Sequence, residues 1–243
     1  MRLGLRHDDH LRKDARTLKL GAFLAPGFAA SASCNLVEAT GPDVDALGNL
    51  ELGVCGLAGP AHQVRWEDRL CGRPETVRTV HVVDEYQNFG YVPGDETTDN
   101  GCYALEVMRR WRSVGLFSRA PIVAFGQVDF YDRAQVAAAT FLLGGVFLCL
   151  ALPKLVRDGS IFRARVWDVA QDDGGTAGNH LVWRFGDEVN TWGNAVLVTP
   201  EFVERYAYDA YAVASADAVK PDGRALSGLD LEGLRAAVAA VTF

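Results

Sequence analysis

The chain has 243 residues, with 24 Lys plus Arg against 31 Asp plus Glu, a formal net charge of −7, and 49% of its residues hydrophobic. That is enough apolar material for one large domain or two small lobes, and it excludes a disordered chain. The acidic balance and the lack of a Lys/Arg cluster exclude the electrostatic footprint of a nucleic-acid binder. Cys34, Cys55, Cys71, Cys102 and Cys149 are odd in number and widely spread. No two stand at zinc or redox spacing, so a reducing compartment and free thiols are expected.

In chain order, residues 1–45 read as an N-terminal arm, charged at its start and with no apolar run of a secretory signal. His7-Asp8-Asp9-His10 within it has the composition of a metal site without ligand spacing, and no metal or cofactor is expected. Helical periodicity begins at Cys55 and runs to Leu70, with Pro60 in its early turns, and further helices are expected over Val77–Phe89 and Tyr103–Val114. These make residues 46–120 a helical lobe. Residues 121–243 read as a β-rich lobe with strands at Ile122–Val128, Val146–Leu152, Ala164–Val169, His180–Phe185, Asn194–Val198 and Ala210–Ala214. Helices interrupt it at Asp132–Leu143 and Pro200–Tyr206, and a C-terminal helix is expected over Ser227–Thr242. The apolar run Val136–Leu152 approaches the length of a membrane span, but Gly144-Gly145 divides it into a helix and a buried strand. The acidic loop Asp172–Gly178 lacks the ligand spacing of a calcium loop. Helices first and sheet later is an α+β signature.

Three positions could carry chemistry. Cys55 opens a helix, where the amide dipoles favour a thiolate; His180 follows a glycine-rich loop; and Asn190 precedes Thr191-Trp192-Gly193. A thiol nucleophile needs an imidazole base, and the imidazole needs a third group to fix its tautomer, for which a carboxamide suffices. Asn49, six residues before Cys55, is a candidate oxyanion donor together with the Cys55 amide. Cys102 also opens a helix, but it leaves too little chain before His180 for a helical lobe. His62, two turns along the Cys55 helix, is read as structural and His81 as solvent-facing. Trp192 fits both core packing and the shielding of a His180–Asn190 hydrogen bond.

The run LGNLELGVC with Asn49 and Cys55, the segment GNH with His180, and NTWG with Asn190 resemble the papain-like cysteine peptidase fold. The chain is more closely similar to uncharacterised papain-like proteins of actinobacteria and their phages. The features that carry this are Asp14–Leu20, the block Leu47–His62, Asp99–Gly101, the TWG box, and Thr199, Phe202 and Tyr206. The resemblance implies a papain-like helical lobe followed by an antiparallel sheet or barrel lobe. It also implies a hydrolase that cleaves a peptide or amide bond with Cys55, His180, Asn190 and Asn49, in the cytoplasm. The sequence departs from that pattern at Gly56, where an aromatic is usual, at Leu181, where a small residue is usual, and at Asn49, where Gln is commoner. The alternative is therefore an inactive structural or interaction protein, a phage virion component that assembles with itself or with virion proteins through its arm. Neither reading calls for a membrane. A transglutaminase-like variant would use an Asp as third group, and Asp187 is available.

Overall fold

The computed structural model describes residues 3–7, 19, 43–157, 165–215 and 218. The expected C-terminal helix and most of the arm, including Asp8 to His10 and Asp14 to Ala15, lie outside the described residues. The first half is helical: α1 (Cys55–Leu70), α2 (Thr79–Gln87) and α3 (Ala104–Val114), with a short strand β1 (Leu5–Arg6) paired in parallel to β2 (Cys102–Tyr103). The second half is built on a seven-stranded sheet whose strands are β3 (Ala124–Gln127), β4 (Val146–Pro153), β5 (Val166–Trp167), β6 (Thr176–Phe185), β7 (Glu188–Thr191), β8 (Asn194–Val198) and β9 (Ala207–Ala214). Their order across the sheet is β3-β9-β4-β6-β7-β8-β5, antiparallel throughout except for β5 on β8. Helices α4 (Arg133–Leu143), α5 (Lys154–Arg157) and α6 (Pro200–Tyr206) connect the strands.

Local chemistry sets these boundaries. The Asp132 carboxylate accepts from the amides of Ala134 and Gln135 to open α4, and Gly144 closes it at φ +87°. The Thr199 hydroxyl accepts from the Phe202 amide to open α6, with Pro200 in its first turn. The apolar run 136–152 is thus a helix, a glycine break and a central strand. Among the described residues no helix is long and apolar enough to cross a membrane.

The central strands are buried on both faces, and each face serves a different core. On β4 and β6, Phe147, Cys149, Leu181 and Trp183 pack with Leu57, Ala61 and Trp66 of α1, whereas Leu148, Leu150 and Val182 pack with Trp167, Trp192 and Phe202. The period-2 alternation of β6 therefore decides which of its side chains meet α1.

Candidate active site

Cys55 is the first residue of α1, as the sequence predicts, and it is fully buried. The amides of Leu181, Gly4, Gly56 and Cys55 itself face the sulfur and favour its ionised form, but desolvation outweighs them and the thiol is pushed up to about 11. The loop before Cys55 is anchored by a residue that sequence reasoning quoted but gave no role. The carboxylate of Asp99 accepts from the Gly53 amide at 2.9 Å and from the Tyr86 hydroxyl at 2.8 Å, and that hydroxyl in turn accepts from the Gly101 amide at 2.6 Å. Asp99 and Tyr86 thereby hold Gly53 and Gly101 on either side of the Cys55 helix start.

His180 lies on β6, paired across the sheet with Leu150, and is fully buried. Its Nε2 stands 2.7 Å from Thr191 Oγ1, and Trp192 stacks on the ring at a centroid distance of 4.1 Å and 14° between planes. Burial lowers the imidazole to about 3, so it is neutral. Its Nδ1 is buried with no hydrogen-bond partner among the described residues. Trp192 therefore covers the imidazole as expected, but the hydrogen bond it covers is a different one.

The assignment of Asn190 as the group that orients His180 is corrected. Asn190 is paired with Trp183, whose ring meets Trp66 of α1, so its carboxamide shares the α1 side of the sheet; neither its oxygen nor its nitrogen has a hydrogen-bond partner among the described residues. Thr191, one residue on, has the opposite orientation and takes the role. The two-residue turn between β7 and β8 fixes this register: Trp192 at φ +47° and Gly193 at φ +76° form the left-handed pair that a tight hairpin requires. A tryptophan is strained there, and the strain is compensated by its stacking on the imidazole. Asp187, the other possible third group, is 84% exposed and bonded to Arg184.

Nor are Cys55 and His180 hydrogen-bonded to each other. The sulfur lies against the amide of Leu181, the residue following His180, while the imidazole turns to Thr191 and Trp192. Leu181 is on the α1 face of β6, so His180, one residue earlier, projects from the opposite face with Leu150 and Trp192: the structure does not bring the imidazole to the Cys55 sulfur. Asn49 is buried in the turn that precedes α1, with its Oδ1 lacking a partner among the described residues. The same loop packs on the Trp192-Gly193 turn, where a methyl on Gly193 would stand 3.1 Å from the Val44 carbonyl oxygen.

The remaining candidates have other roles. His62 Nδ1 is 3.1 Å from Asp43, which also pairs with Arg65 at 2.8 Å, a buried structural cluster. His81 is half-buried rather than solvent-facing, because its Nδ1 accepts from the Arg78 amide at the start of α2. Cys102 adjoins Cys55, its thiol pushed well up by burial and then by the neighbouring sulfur. It sits on a strand and not at a helix start. Asp172 and Asp173 accept from the amides of Gly174 and Gly175, and Asp173 also from Arg205 and Tyr206, so the acidic loop satisfies itself. No group of three or more metal-ligating side chains occurs among the described residues.

Helices followed by an antiparallel sheet in this arrangement match a known architecture. The structure is similar to that of xylellain, a cysteine protease from Xylella fastidiosa, with a TM-score of 0.60 over 88% of this chain and 96% of that one. The fold is papain-like. Sequence identity over the match is 14%. No family model matches the sequence, and no curated protein is similar to it at a significant level.

Proposed function

We propose that this papain-like chain is a cysteine hydrolase of peptide or amide bonds with Cys55 as nucleophile, and that His180 acts as its base in an arrangement that turns the imidazole from its present face of β6 to the sulfur. The observation that carries the reading is the position of the Cys55 sulfur, at the first turn of α1 and against the peptide group that follows His180. Thr191 on Nε2 fits a tautomer in which Nε2–H donates to the hydroxyl, which leaves the Nδ1 lone pair unshared and able to receive the thiol proton once the ring reaches the sulfur. The sulfur would then attack the carbonyl carbon, with the helix-start amides facing the developing oxyanion, and the Nδ1 proton would pass to the leaving amine. Asn49 remains the proposed side-chain donor to that oxyanion, and Trp192 the shield over the imidazole. Asn190 has no step in this scheme.

The test is hydrolysis of a fluorogenic peptide library by the full chain and by Cys55→Ala, His180→Ala and Asn190→Ala. Loss of turnover in the first two, with Asn190→Ala retaining at least a third of it, is the expected pattern. Equal turnover in the wild type and Cys55→Ala would exclude the mechanism. A second reading, a non-catalytic papain-like scaffold in a protein assembly, is favoured by one observation: both Cys55 and His180 are wholly buried and held neutral. Under that reading Cys55→Ala leaves assembly unchanged and no library peptide is cleaved.

A further inference from the structure

A cavity of about 490 Å³ lies between α4, α6 and the turn that joins β6 to β7, and none of the residues that line it belongs to α1 or to the loop before Cys55. Small-molecule sites span roughly 300–1,000 Å³, so the space suits a compact ligand. One face of α4 forms a wall, with Arg133, Val136, Ala137, Thr140 and Phe141 at helical spacing. Pro200 and Val203 of α6 add apolar surface, and Phe130 and Tyr131 supply two rings whose centroids are 4.4 Å apart. The Tyr131 hydroxyl donates to the Glu204 carbonyl oxygen at 3.4 Å, which ties the segment before α4 to α6.

Into this largely apolar space the sheet sends a charge. Arg184 alternates with Val182 on the face of β6 turned away from α1, and it is only 9% exposed. Its Nε donates to the Gly186 carbonyl oxygen at 2.8 Å, while its Nη2 meets an Asp187 oxygen only at 3.5 Å. Nη1 has no hydrogen-bond partner among the described residues. Arg133, likewise without an ion pair among the described residues, stands near enough for its charge to act on Arg184. Burial lowers the Arg184 guanidinium from its ordinary value, Asp187 offsets this in part, and Arg133 adds to it. A desolvated cation beside a second cation is costly without a close counter-charge. A ligand carboxylate taken in the open fork of Arg184 would supply one. The two acids of the lining, Asp187 and Glu204, are both exposed, so they offset the arginines weakly and would repel a second negative charge.

We propose that this cavity binds a small aryl carboxylate, with its single negative charge on Arg184 and Arg133 and its flat apolar body among Phe130, Phe141, Val136 and Val203. The rings of the lining select the aryl group, and the exposed acids select one charge over two. The site is separate from Cys55 and does not depend on hydrolysis.

The full chain is titrated with naphthylacetate by isothermal titration calorimetry, beside the uncharged naphthylacetamide and the dianion naphthyl phosphate. Saturable binding of the acid is expected, at least tenfold tighter than of the amide and tighter than of the phosphate ester. Arg184→Gln should weaken the acid at least tenfold and leave the amide unchanged, Arg133→Gln should weaken it by a smaller factor, and Cys55→Ala should bind like the wild type. Ala137→Trp fills the cavity from an exposed helical position and should abolish binding. It decides the outcome should Arg184→Gln fail to fold. Equal affinity for acid and amide, tighter binding of the phosphate ester, or wild-type affinity in a folded Arg184→Gln or Ala137→Trp variant would overturn the proposal. So would the lack of saturable binding up to about 10 mM acid.

Discussion

Thr191 and Asn190 are neighbours with opposite fates. The first satisfies His180 Nε2 and the second leaves both ends of a buried carboxamide unpaired. An unsatisfied buried polar group costs about 1–3 kcal/mol, whereas removing it together with its desolvation is close to neutral. Thr191→Val, which keeps the shape and deletes the hydroxyl, is expected to destabilise the fold by about 2 kcal/mol in urea unfolding. Asn190→Ala should cost less than Thr191→Val, and the reverse order would return the orienting role to Asn190. His180 also makes stability depend on pH. Its folded pKa of about 3 lies below the ordinary 6.5, so between these values the unfolded chain binds the extra proton. Stability contributed by neutral His180 is complete above about pH 6.5 and declines as pH falls toward 3, with a slope approaching about 1.4 kcal/mol per pH unit. His180→Gln should flatten this slope between pH 4 and 6.5, and an unchanged slope would place the titration on other groups. At this scale Cys55 at a helix start was legible as a local signal, whereas the face of the sheet from which His180 projects follows from the register of β6 and was not. The choice between Asn190 and Thr191 depends on pairing with Trp183, which spacing alone does not supply.

Most elements were legible because their signals are short-range. Asp132 and Thr199 as caps and Gly144 as a stop set the helices that follow β3, and α4 and α6 stand within one residue of their expected limits. Strand lengths were not, because pairing extends or trims them. β6 begins at Thr176 rather than His180 since Pro153 pairs back to it, and Val166–Trp167 is all that β8 supports of the strand expected at Ala164–Val169. β7 is absent from the expected strands, as four residues between two turns carry little periodicity. β1 within the arm had no signal beyond its partner, since its two residues are ordered by Cys102 and Tyr103. The approach of β4 to β6 yields a prediction at this level. A methyl on Gly145 would overlap Trp183 Nε1 and lie 2.6 Å from the Arg184 carbonyl oxygen. Backbone cannot yield as a flexible side chain does, so Gly145→Ala should cost about 1–3 kcal/mol through forced displacement of β4 against β6. Thermal unfolding checks this: a melting temperature within about 1 °C of wild type would show that the strand start shifts freely, since 1 kcal/mol corresponds to several degrees in a domain of this order.

For the whole molecule, helices before sheet gave the class of the fold, and the order Cys55, His180, Asn190 gave its papain-like character. What joins the two halves is not periodic and left no trace in the pattern. One such connection is Asp68, wholly buried in the last turns of α1. Its carboxylate accepts from Arg73 Nε at 2.9 Å and from Arg119 Nη2 at 2.8 Å and Nη1 at 3.2 Å. Arg119 belongs to the passage from α3 into β3, and it also donates to the Thr76 hydroxyl at 3.3 Å. The carboxylate thus fastens the end of the nucleophile helix to the point where the chain enters the sheet, and it holds in place the α1 face on which Leu181 and Trp183 pack. Removing one partner of a buried ion pair costs about 3–5 kcal/mol when the other is stranded. The side chains of Arg73 and Arg119 are 35% and 20% exposed, so they regain some hydration once the acid is gone. Asp68→Ala is therefore expected near the lower end, about 3 kcal/mol, by urea unfolding. Arg119→Gln should cost more than Arg73→Gln, because Arg119 ties α1 to the segment that leads into β3, whereas Arg73 lies five residues from Asp68 at the end of the same helix. Equal losses at the two arginines would mean that the carboxylate merely closes α1, and that the halves are held together by the apolar contact of α1 with β6 alone.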